Sequence, residues 1–215
     1  MVGMPAPDRT GVPPSDTAEA LLDATERLLV AGGAAAVTTR RIAEEAGQSH
    51  GLIRYHFGGL ENLMVRTLER SAQRILDRQH ELYAGDAPFL DKWRTAMTYL
   101  DDDLRSGTFP KLAAELFAMG WNEPAYRDSL RRMIEEFTEM LGSAVRSAVS
   151  EYEVPEFDVE AVATLIRTFQ LGMMAERLAG VDTGHAALLG AVDQWLQRLP
   201  RRTEAATDGT SAGAG

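Results

Sequence analysis

Arg40, Arg41 and Arg54 fall close together in a stretch of small residues, with His50, Tyr55 and His56 among them. A guanidinium grips guanine O6 and N7, or a phosphate, through paired N–H donors. A neutral imidazole donates one more hydrogen bond and gains charge as pH falls. Leu52 lies on the same side as Arg54, where it suits either a thymine methyl or packing between helices. Other chemistry is sparse. The absence of cysteine excludes disulfides, thiol nucleophiles and Cys-ligated metals. His50, His56, His80 and His185 form no His-x3-His pair, and there is no Gly-rich phosphate loop and no Gly-x-Ser-x-Gly elbow. Asp101-Asp102-Asp103 and Glu135, Glu136 and Glu139 read as solvated helix faces, because no histidine stands at ligand spacing beside them. No catalytic residue, metal or cofactor is expected, and the chain is not expected to be an enzyme.

The basic cluster must be positioned by two short helices and a tight turn. Thr38 or Thr39 caps the first, whose apolar face is Ile42 and Ala46. Gly47 ends it, because the turn needs a left-handed backbone. Ser49 is expected to cap the second, with Ile53 and Phe57 as its apolar face. The spacing Ala43-x3-Gly47-x5-Ile53 is that of a helix-turn-helix, where a small residue allows close approach and a branched one fills the angle.

Around this block the pattern stays helical. Leu21, Leu22, Thr25, Leu28 and Leu29 predict a helix over 16–31, ended by Gly32-Gly33. A long helix starts near Glu61 and ends near Gly85-Asp86. Pro88 opens another, broken by Gly107 and Pro110. A short helix through Leu112, Leu116 and Met119 ends at Gly120. Pro124 starts a long segment closed by Pro155, a further helix runs from Val159 to Leu178, and a last one carries Leu188, Val192, Trp195 and Leu199 up to Pro200. Nothing alternates with period two. The expected fold is all-α with about nine helices.

The continuous stretch 17–66 resembles the DNA-binding domain of TetR-family transcriptional repressors. Thr38-Thr39, Ile42-Ala43, Ala46-Gly47, Ser49, Gly51, Ile53, Tyr55-His56, Phe57 and Glu61 occupy the family's consensus places. Three positions depart from it. Gln48 replaces a common apolar residue, His50 a common Lys or Arg, and Leu60 the Lys that touches a backbone phosphate. Arg54 stands where Tyr is frequent, and restores a charge or reads a base. The resemblance implies a DNA face of Thr39, Arg40, Gln48, Ser49, His50, Gly51, Leu52, Arg54, Tyr55 and His56. It also implies a bacterial, cytoplasmic homodimer that binds double-stranded operator DNA and releases it on binding a small effector. Whether it represses or activates stays open at this level.

Trp93, Met97, Phe117, Trp121, Tyr126, Met133, Phe137, Phe169 and Met173 are large and polarizable. Each suits a plain core, and as a group they suggest an apolar cavity for an apolar or aromatic effector. Phe169, Leu188, Val192, Trp195 and Leu199 are the candidate dimer seam, from the last two helices. The expected organisation is a disordered arm at 1–14, a DNA-binding domain at 15–60, a ligand and dimerisation domain at 61–200, and a disordered tail at 201–215. No apolar stretch reaches the ~20 residues of a membrane span, and the Pro-rich start has no signal-peptide core. The alternative from another class is a helical small-molecule carrier or enzyme that does not bind DNA.

With 22 Lys+Arg against 32 Asp+Glu, the net charge of −10 argues at first against a phosphate partner. Its distribution removes that objection. Residues 38–58 hold three arginines against two glutamates, whereas 86–160 hold eight basic and sixteen acidic residues. The acid lies away from the reading segment. The expected consequence is few phosphates neutralised and a shallow salt dependence.

Overall fold

In the computed structural model the described residues are 16–202, apart from Pro155 and Phe157. The predicted arm at 1–14, with Arg9, and the tail beyond Arg202 lie outside them. Among the described residues there are nine α-helices: α1 (Asp16–Gly32), α2 (Thr39–Ala46), α3 (Gly51–Phe57), α4 (Leu60–Ala84), α5 (Phe89–Ser106), α6 (Thr108–Asn122), α7 (Pro124–Glu151), α8 (Val159–Leu178) and α9 (His185–Arg198). A single 3-10 turn, Ala34–Ala36, follows α1. The all-α expectation holds. Gly107 does end α5, in a left-handed conformation. Pro110, expected to break the chain further, instead lies in the first turn of α6, where its missing N–H is not needed.

The chain forms two compact units. The first comprises residues up to 72 together with 111–130, and the second 73–110 together with 131 onward. The unit that holds the helix-turn-helix is therefore discontinuous. It draws in the start of α4, most of α6 and the start of α7, well beyond residue 60.

In the first unit α1 packs on α2 and α3. Leu21, Leu29, Ile42, Ile53, Leu63 and Leu112 are fully enclosed, each worth about 1.5–3 kcal/mol of burial. Thr25 and Thr67 lie in this core without orphaned hydroxyls, since each donates to the carbonyl four residues back, Leu21 O at 2.7 Å and Leu63 O at 2.8 Å. Arg70 on α4 reaches three carboxylates of α1: Glu19 at 2.6 Å, Asp23 at 2.7 Å and Glu26 at 3.2 Å. Those acids recur at i, i+4 and i+7, one face of α1.

In the second unit Phe89, Tyr152 and Leu196 form one buried cluster, flanked by Trp93, Val192 and Leu199. Leu76, Met140, Leu141 and Ala163 form another, flanked by Tyr83, Phe137 and Ile166. α5 packs on α9, and the contact is fixed by a forked pair from Arg94 to Asp193 at 2.9 and 3.2 Å. Pro88, ahead of α5, offers no side-chain cap. Both oxygens of Glu151 accept the Phe89 N–H instead, at 2.9 Å each. Asp158 caps α8 locally, through Glu160 N and Ala161 N. Beyond α9 the chain is held through Arg202, whose N–H donates to Glu151 O at 2.8 Å. The first two residues of the expected tail are thus pinned.

Candidate nucleic-acid interface

Thr38 caps α2, its hydroxyl accepting the Arg41 N–H at 3.2 Å. Gly47 ends α2 at φ 63°, the left-handed conformation that favours glycine. The Gln48 N–H then closes the turn onto Ala43 O at 2.9 Å. Ile42, Ala43 and Ile53 are sealed inside the angle between α2 and α3, as the Ala-x3-Gly-x5-Ile spacing requires. Ser49 does not cap α3 with its side chain. His50 occupies the cap position, and no side chain bonds there. Ser49 contributes its carbonyl instead, accepting from Leu52 N at 3.0 Å. The turn from Gly47 is tight enough that α3 starts without a hydroxyl cap, and the Ser49 side chain stays exposed. Gly58 closes α3 at φ 76°.

With Ile53 inward, α3 turns its other side outward. Gly51, Arg54 and Tyr55 are exposed, with Tyr55 at 80%. Leu52 and His56 are half-buried beside them, and the Tyr55 ring meets the edge of His56 at 4.8 Å. Thr39, Arg40, Ser49 and His50 are exposed as well, and Gln48 is half-buried. All ten residues of the expected DNA face are at least partly accessible.

The cations there divide into two kinds. Arg40 donates to Glu44 at 2.8 Å, which raises its already high pKa. Arg27 of α1 pairs with Glu45 at 2.7 Å. The Arg41 and Arg54 side chains make no ion pair or hydrogen bond among the described residues. An exposed pair such as Arg40–Glu44 is weak and screened, so a phosphate can displace the carboxylate. Arg54 needs no displacement, and it sits on the outward side of the helix that a major groove would receive.

α6 grips the base of this head. Glu115 accepts the Ala34 N–H at 3.1 Å, and Lys111, one turn earlier, donates to Val30 O at 3.2 Å. The fit is close. Gly33 adopts φ +66°, and a Cβ there would lie 2.4 Å from Glu115 Oε1. Sequence reading passed over both residues, because a lone Glu and Lys on an amphipathic helix carry no signal of a partner some eighty positions away.

Of the expected effector residues, six lie in the second unit and three in the first. Trp93 flanks the Phe89 cluster and Phe137 the Leu76 cluster, where Phe137 also stacks on Phe109 at 6.4 Å. Met97, Met133 and Phe169 are half-buried and Met173 is buried. The remaining three belong to the first unit. Tyr126 is buried with its hydroxyl 3.8 Å from Met64 Sδ, Phe117 is half-buried, and Trp121 is 85% exposed. Burial and the nearby Glu61 and Glu123 carboxylates push the Tyr126 phenol up to about 12.

The expected dimer seam also divides. Val192 and Leu199 face inward onto the Phe89 cluster with Leu196. Leu188 and Trp195 face outward, Trp195 at 53% exposure.

Residues 21–67, the stretch just described, match the family described as bacterial regulatory proteins, tetR family. The chain resembles TetR-type transcriptional regulators over this helix-turn-helix segment. A curated relative, the HTH-type transcriptional regulator SrpR of Pseudomonas putida, is 23% identical over 179 residues, 81% of each chain. A solved putative regulator, SCO7518 of Streptomyces coelicolor A3(2), is 27% identical with a TM-score of 0.65, covering 84% of this chain and 98% of its own. The fatty acid degradation regulator FadR of Bacillus halodurans shares the fold with a TM-score of 0.70 at 14% identity, covering 86% and 96%. The helix-turn-helix segment is thus similar to the DNA-binding segment of TetR-type regulators, and α3 is its second helix. Among the described residues no helix is long and apolar enough to cross a membrane, and no group of His, Asp and Glu is placed to hold a metal.

Proposed function

We propose that the protein is a homodimeric repressor whose two α3 helices enter successive major grooves of a palindromic operator, and that a small effector bound among the helices of 88–180 releases it. The observation that carries this reading is the outward face of α3. Arg54 and Tyr55 stand in solvent on α3, Arg54 without an ion pair or hydrogen bond among the described residues, over an inner face closed by Ile53. A dimer is supported by the surface of α8 and α9. Ala161, Leu165, Thr168, Gly172 and Ala175 form an exposed stripe of small and apolar residues along α8, and Leu188 and Trp195 are exposed on α9. Leu165 alone is 68% exposed. Small residues on that stripe suit a close helix–helix approach across a two-fold axis.

A gel shift on DNA upstream of the protein's own gene tests the reading. A retarded band on a palindromic segment at low salt is expected. No band on any palindrome there refutes it. Arg54→Ala costs about 1–3 kcal/mol of operator binding and relaxes preference at one base position if the guanidinium reads a base. An equal loss on every sequence assigns Arg54 to a phosphate.

A further inference from the structure

Two neighbouring arginines of α2 meet different fates. Arg40 and Arg41 lie in its first turn, and helical spacing gives each a glutamate four residues on, Glu44 and Glu45. Arg40 holds its glutamate, Nε to Glu44 Oε1 at 2.8 Å. Glu45 instead pairs with Arg27 of α1, at 2.7 Å from Nε to Oε1. Arg41 is left exposed, its side chain without an ion pair or hydrogen bond among the described residues. Neither Arg41 nor Arg27 belongs to the expected DNA face.

Charge decides which of the two can anchor a phosphate. Arg40 and Glu44 together are neutral. A phosphate that takes Arg40 leaves the Glu44 carboxylate one turn away, well inside a Debye length of about 8–10 Å, so repulsion offsets the attraction. Arg41 brings a whole charge with no acid attached. Its backbone is also fixed. The Thr38 hydroxyl accepts its N–H at 3.2 Å, and the next two residues, Ile42 and Ala43, are buried against α1 and α3. Its freedom depends on Arg27. Were that guanidinium removed, Glu45 could close on Arg41 as Glu44 does on Arg40, and α2 would carry two neutral pairs.

We propose that Arg41 anchors a DNA backbone phosphate, and that Arg27 is its positioning residue, holding Glu45 away from it. The inference rests on the reading that α3 enters duplex DNA. It assigns the sequence-independent contact of α2 to Arg41 rather than Arg40, and leaves base reading to α3. A phosphate contact sets register and strength alike on every sequence. Arg27 acts without touching DNA, through the acid that it occupies.

The test titrates the full-length protein, by fluorescence anisotropy over a range of salt, against a random-sequence DNA duplex and the palindromic segment upstream of its gene. Arg41→Gln should weaken both complexes about eightfold for each head at about 0.1 M salt, and lower the salt slope by about 0.9 for each head. Arg41→Lys should restore both, since a phosphate also accepts a point charge. Arg27→Gln should reproduce the Arg41→Gln loss, and Arg27→Gln/Glu45→Gln should recover wild-type binding. Arg40→Gln/Glu44→Gln removes a neutral pair and should leave the slope unchanged. All five side chains are exposed, and circular dichroism checks that each variant keeps its helices. Four results overturn the proposal. These are an Arg41→Gln loss below about threefold, a loss confined to the palindrome, an Arg27→Gln loss that Glu45→Gln does not repair, and an Arg40→Gln/Glu44→Gln loss equal to that of Arg41→Gln. Wild-type protein that holds the random duplex but no palindrome refutes the repressor, not the anchor. Protein that holds the palindrome equally well with Arg41→Gln refutes the anchor alone. Protein that holds neither duplex at low salt refutes both.

Discussion

Removing Glu115 should loosen the reading head by an amount that the geometry predicts. Its carboxylate accepts the Ala34 N–H at 3.1 Å in a partly buried setting. A hydrogen bond to a charged acceptor contributes about 1.5–3 kcal/mol, so Glu115→Ala should destabilise by about 2 kcal/mol. For a chain of this length that lowers Tm by roughly 4–8 °C. Gly33→Ala should cost more. A left-handed φ costs a non-glycine residue about 1–2 kcal/mol, and the new Cβ would sit 2.4 Å from Glu115 Oε1. The carboxylate can swing away, but only by abandoning Ala34. The expected total is about 3–4 kcal/mol. The two losses overlap in one hydrogen bond, so they must not add. Once Glu115 is gone, Gly33→Ala should cost only its backbone strain, about 1–2 kcal/mol. Urea unfolding of the four proteins of this cycle, followed by circular dichroism, measures the coupling. A value near 2 kcal/mol is expected. Additivity within about 0.5 kcal/mol would show that Glu115 does not support the turn at all.

Arg70→Met removes the cation shared by Glu19, Asp23 and Glu26 on one face of α1, and should cost about 1–2 kcal/mol by urea unfolding, less in high salt. Tyr83 and Tyr126 are both held up at about 12, Tyr83 by burial alone. An unfolded phenol ionises near 10, so their stabilisation is complete below that pH and is lost as pH rises from about 10 to about 12. Tyrosinate absorbance should show both titrating late, and Tyr83→Phe should flatten the alkaline loss of stability. On the proposed dimer through α8 and α9, Leu165→Arg places a charge on the exposed α8 stripe and should give a monomer in light scattering where the wild type is a dimer, with the helical content unchanged.

The local order of the reading head was legible in the sequence. Thr38, Ala43, Gly47 and Ile53 act over a few residues, through a cap, a close contact, a left-handed turn and a filled angle. Such effects depend on residue type and short spacing, so the two short helices and their outward arginines follow from the string alone. The long helices followed too, because Gly107 and Pro124 mark their ends by backbone restriction. The Ser49 cap did not follow, because turn geometry decided whether a side chain was needed at α3.

Partnerships across distance belonged to the tertiary structure. Composition placed nine large side chains in one apolar group, yet Trp93 and Phe137 join different clusters and Trp121 faces solvent. Helical periodicity assigned Val192 and Trp195 to one seam, whereas packing turned Val192 inward and left Trp195 out. Glu151 capping α5 and Glu115 holding the turn after α1 each depend on which helix lies opposite. Periodicity says that a helix has a buried face. Only packing decides what that face meets, and so which charges find a partner.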